Sequence, residues 1–174
     1  MAYFTAVVAR SGRGWRARDV ELDEVGGLED LADTLRSVAV DDEPVLAVLE
    51  HEDEWFALFR VDGDDEPRLF VSDLPSASQT AFAELLAPAA EIEVADDDAG
   101  AADDEDEDGD GEDDAAAPVG AGAAWAGDVD ILEDLGVPGS ALRRLVEEHE
   151  EDPAAVIADV GERVGFAELL EALR

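Results

Sequence analysis

The chain has 174 residues, enough for one or two small domains, and a net charge of −37 from 48 acids against 11 cations, all of them arginine. With no cysteine it can form neither a disulfide nor a thiolate zinc site. No apolar run approaches the ~18 residues of a membrane span and no basic-then-apolar segment opens the chain, so a cytoplasmic protein is expected.

Residues 3–10 place Phe4, Ala6 and Val8 on one face and Tyr3, Thr5 and Val7 on the other, which predicts a first strand. Ser11-Gly12-Arg13-Gly14 is a tight-turn signal, and Trp15 opens a second strand. Its apolar parity changes from Trp15 and Ala17 to Val20 and Leu22, so a bulge or a strand end is expected near Arg18-Asp19. Leu28, Leu31, Ala32, Leu35 and Val38 then form a helical stripe, with Glu29 and Asp30 in its first turn and Arg36 near its end, as the helix dipole favours.

Residues 44–73 are the centre of the pattern. The apolar run 45–49 suits a strand buried on both faces, and 54–61 a central strand with helices against one side. A short charged connection makes these two a hairpin, and Asp62-Gly63-Asp64-Asp65-Glu66-Pro67 turns the chain into a third strand at 68–72. Leu74, Phe82, Leu85 and Leu86 repeat at helical spacing, with Ser76 as N-cap and Pro88 as the stop. Residues 1–92 are therefore read as an α+β domain, ββαβββα, with two helices on one face of an antiparallel sheet.

Residues 93–123 have no periodic apolar set, and 93–114 carry 14 acids and no base. That composition predicts a disordered, self-repelling acidic linker. Helical signals return in 124–174: Ile131, Leu132 and Leu135 ending at Gly136; Leu142, Leu145 and Val146; Asp152-Pro153 opening Val156, Ile157, Val160 and Val164; then Phe166, Leu169, Leu170 and Leu173. A helical mini-domain this small is marginal alone, so it is expected to dock on the first domain, a second copy or a partner.

No constellation of catalytic or metal-ligating residues emerges, and no cofactor is expected. Asp104-Glu105-Asp106-Glu107-Asp108-Gly109 begins like a calcium loop, but Ala115 stands where the bidentate glutamate belongs. His51 and His149 stand apart in charged surroundings and read as exposed polar residues; Ser72, Ser76 and Ser78 read as turn and cap residues. Trp15 and Trp55 read as packing. Trp125, beside the linker, reads as a docking anchor for a partner, and Asp104, Asp106 and Asp108 as its electrostatic complement. Direct nucleic-acid binding is not expected, since the cations are too few and too scattered to displace counterions.

The opening YFTAVVAR with its following GW, the block EDEWFALFRVDGDDEPRLFVSD and the tail DILEDLGVP to GFAELLEALR resemble the actinobacterial tRNA adenosine deaminase-associated proteins. The resemblance implies a context in adenosine-to-inosine modification of tRNA, with tRNA adenosine deaminase as partner, and carries no catalytic residues. The deaminases themselves need H-x-E and P-C-x-x-C around zinc. This chain lacks cysteine, and its His51-Glu52-Asp53 is not H-x-E. The expectation is a non-enzymatic accessory protein docking through its acidic surface; the alternative is a small-molecule-sensing or regulatory module unrelated to tRNA.

Overall fold

The computed structural model describes residues 3–22, 25–92 and 124–174. The proposed acidic linker, with Asp104, Asp106 and Asp108, lies outside them. Six antiparallel strands form one sheet in the order β2-β1-β3-β4-β5-β6: β1 Tyr3–Ser11, β2 Gly14–Asp19, β3 Val45–His51, β4 Trp55–Val61, β5 Arg68–Val71 and β6 Ala126–Gly127. The second strand ends at Asp19, where the parity change required an interruption. Consequently Trp15 and Ala17 pack on one side of the sheet, and Val20 and Leu22 on the other.

Both faces are covered. On the first, α1 (Leu28–Val38) packs Leu31, Ala32 and Leu35 against the odd-numbered residues of β3 and β4, among them Ala47, Leu49, Trp55 and Phe59. The second helix expected on this face is present but broken. It consists of α2 (Leu74–Ala77), α3 (Ala83–Leu86) and a 3₁₀ turn over Ala87–Glu91. Its cap is Asp73, whose Oδ1 accepts from the Ser76 amide at 2.9 Å, rather than Ser76 itself. Pro88 falls in the opening turn of the 3₁₀ segment, where its missing N–H costs nothing.

On the second face lie α4 (Gly139–Glu148), α5 (Pro153–Val164) and α6 (Ala167–Leu173). Their Leu142, Leu145, Val156, Ile157, Val160 and Phe166 share one core with Ala6, Val8, Leu46, Val48, Phe56, Leu58 and Phe70 of the sheet. Of the docking surfaces open to the C-terminal helices, the sheet itself is therefore occupied. This explains why β3 and β4 are buried at every position, including the even-numbered residues that the sequence left half-covered. The caps follow the sequence: Asp152 accepts from Ala155 N at 3.0 Å ahead of Pro153, and Gly136 and Gly165 end their segments at φ 101° and 104°.

Candidate functional site

The segment that joins the two halves of the fold is Ala124–Asp130, which the sequence leaves without a strand. Two residues of it add to the sheet edge as β6, Phe70 opposite Gly127 and Val71 opposite Ala126. The Asp128 amide donates to the Leu69 carbonyl at 2.7 Å, and Leu74 N donates to the Ala124 carbonyl at 2.8 Å. Arg68 Nε reaches Asp128 Oδ2 at 2.6 Å. Gly127 is at φ 100°, and a Cβ there would run into the Leu69 carbonyl oxygen, so only glycine permits this approach.

These bonds fix Trp125. Its ring stacks on Phe70, with centroids 6.0 Å apart and planes 26° from parallel. It is partly buried, and its Nε1 has no hydrogen-bond partner. The remainder of the ring lines a cleft of about 160 Å³ between the sheet end and the α4–α5 connection. Phe56, Val146, Pro153 and Val156 complete the apolar wall, and Glu54, Asp73, Glu147, His149 and Glu150 bring the polar groups. The α4–α5 connection reads Glu147-Glu148-His149-Glu150-Glu151-Asp152, five carboxylates in six residues. An apolar recess bordered by this much like charge suits an aliphatic or aromatic group carrying a positive end, such as an arginine or lysine side chain.

The other aromatic and ionic features have internal roles. Trp15 donates from Nε1 to the Val164 carbonyl at 3.2 Å and meets Phe166 edge-on at 5.9 Å, clamping α5 and α6 to β2. Trp55 is fully buried in the first core. Arg60, 4% exposed, bonds Asp62 at 2.7 and 2.8 Å, Asp134 at 2.5 and 2.8 Å and the Ile131 carbonyl at 2.8 Å. Burial opposes its charge, but the hydrogen bonds it donates to Asp134 and Asp62 outweigh that and hold its pKa above the ordinary value. The Arg60 hydrogen bond in turn holds Asp134 below the ordinary carboxylate value. Glu50 is pushed up by burial, against the pull of Arg174, which pairs with it and lies over the Phe4 ring at 5.1 Å. Serine hydroxyls serve turns and caps: Phe56 N donates to Ser72 Oγ at 2.9 Å, and Ser78 Oγ donates to the Leu74 carbonyl at 2.7 Å.

The structure corrects one reading. His51 is not an exposed polar residue: it is 5% exposed and stacks on Trp55 at 5.1 Å with planes 4° apart. The signal was its place as the seventh residue of a strand whose odd positions face the core. His149 is partly exposed at the cleft, and with Glu151 it does spell H-x-E. Without a cysteine the zinc ligand set of the deaminases still cannot be completed.

No curated protein and no solved structure matches the chain. A family model does match, over residues 3–167, which takes in the whole sheet and the helices up to α5 and ends at the first residue of α6. The chain belongs to the family described as Rv3753c-like tRNA adenosine deaminase-associated protein.

Proposed function

We propose that this protein is a non-enzymatic accessory of tRNA adenosine deaminase that docks on the deaminase through the acidic cleft around Trp125. The family description supplies the association. The observation that carries the docking mode is the juxtaposition of Trp125 and Phe56 with the carboxylate run 147–152. An enzyme that acts on tRNA must present cations to a phosphate backbone. A partner of charge −37 is complementary to that surface, holding or shielding it until tRNA competes. The aromatic floor supplies what charge alone lacks: a desolvated anchor point for one cationic side chain.

The volume of the cleft argues against a small molecule seated on Trp125. At about 160 Å³ it falls short of the roughly 300–1,000 Å³ typical of ligand pockets. One long side chain fits it better than a metabolite does.

The test is binding of the full chain to the deaminase from the same organism, by calorimetry at low and high salt. The reading predicts that affinity falls about tenfold or more on raising salt from roughly 50 to 500 mM, because screening shortens the reach of exposed charges. Trp125→Ala and the double substitution Glu147→Arg with Glu150→Arg should each weaken it further at low salt. Salt-insensitive binding, or none, would contradict the reading. Deaminase turnover measured with and without the protein then distinguishes shielding from activation.

A further inference from the structure

The hairpin between β3 and β4 carries a second feature, which shares only Glu54 with the border of the cleft. His51 is the last residue of β3, and Glu52, Asp53 and Glu54 make the turn. The His51 side chain is only 6% exposed, yet its Nδ1 has no hydrogen-bond partner. A buried polar nitrogen left so is unfavourable unless something binds it. That nitrogen points toward the turn: Glu54 Oε2 lies 3.7 Å away, beyond a hydrogen bond but on the same side as the Glu52 carboxylate. One ligand atom from each of His51, Glu52 and Glu54 falls within 4.8 Å of the other two.

We propose that His51, Glu52 and Glu54 form a binding site for a divalent first-row metal ion, with zinc as the best fit. One imidazole nitrogen and two carboxylates match the borderline-hard donors that zinc accepts at about 2.0–2.2 Å. Ligands at that distance from a common tetrahedral centre stand roughly 3.3–3.6 Å apart, close to the 3.7 Å that already separates His51 Nδ1 from Glu54 Oε2. The ring itself need not move, because the parallel stack on Trp55 and the edge contact with Phe82 fix its plane. Two carboxylates neutralise the dication, and the remaining coordination positions are open to water. The site differs from diffuse cation uptake by the acid-rich chain in requiring a neutral imidazole nitrogen as ligand.

The chain has two histidines, so long-range ¹H–¹⁵N spectra resolve both rings directly. The full chain, stripped with chelator, is titrated with zinc chloride at about 150 mM salt, where weak surface binding is screened. The proposal predicts that the His51 Nδ1 resonance moves and saturates at one equivalent while His149 stays in place. The double substitution Glu52→Gln with Glu54→Gln, both on the exposed turn, should keep the folded spectrum and weaken zinc by about tenfold or more. If His51 Nδ1 stays unmoved while several weak equivalents are taken up, or if the double variant binds as tightly, the proposal is wrong.

Discussion

At the scale of single residues, charge is used in two ways. Some carboxylates serve the backbone, as Asp73 and Asp152 do in accepting from helix amides. Asp62 and Asp134 instead converge on Arg60, which sits among apolar residues of the sheet's second face and joins β4 to the Ile131–Asp134 turn. Arg60→Ala should cost about 3 kcal/mol in urea unfolding. That is the low end for a broken buried pair, because Asp134 remains more than half exposed and is not stranded. Asp134→Asn should cost less and show a pH signature. The folded pKa of Asp134 is lowered, so its contribution is fully present above the ordinary carboxylate value and is lost as pH falls through the folded pKa. The gap between wild type and variant should thus be constant at neutral pH and close only below about pH 3.8. A gap that widens on acidification would show that the pair is not what holds the turn.

At the scale of elements, the sequence was most informative where one physical signal dominated. Period-two alternation located β1, β4 and β5, a short bounded apolar run located β3, and the caps Asp152 and Gly136 located helix ends. Glu54 was assigned to a strand but belongs to the turn. β6 was illegible because two residues, Ala126 and Gly127, carry no periodicity, and its existence depends on a distant strand edge. The cleft was illegible for the same reason: Phe56, Trp125 and Val156 are far apart in the chain and meet only through sheet pairing and helix docking. Trp125 could be singled out from its surroundings alone, whereas His51 was misjudged because its charged neighbours outweighed its strand parity. Gly127→Ala tests the joining segment. Strain at positive φ and the clash with Leu69 should destabilise by about 2–4 kcal/mol and release the Trp125–Phe70 stack, read as a red-shifted tryptophan emission alongside a lower Tm. Unchanged emission would mean that Trp125 is held by something other than β6.

At the scale of the whole molecule, a sheet buried on both faces works against a net charge of −37. Self-repulsion lowers the stability of the compact state, so sodium chloride up to about 0.5 M should raise Tm, and a fall would place the dominant electrostatics in pairs rather than in repulsion. In the proposed docking, a cationic partner cancels this uncompensated field and the cleft is the point of contact. The family is associated with tRNA adenosine deaminase, and Trp125 lines the cleft; the proposed docking joins these two facts on one surface. Amide hydrogen exchange of the full chain, with and without the deaminase, tests this most directly. Protection confined to Ala124–Trp125 and residues 146–153, with the α1 face unchanged, is the result expected; protection on the α1 face with the cleft exchanging freely would contradict it.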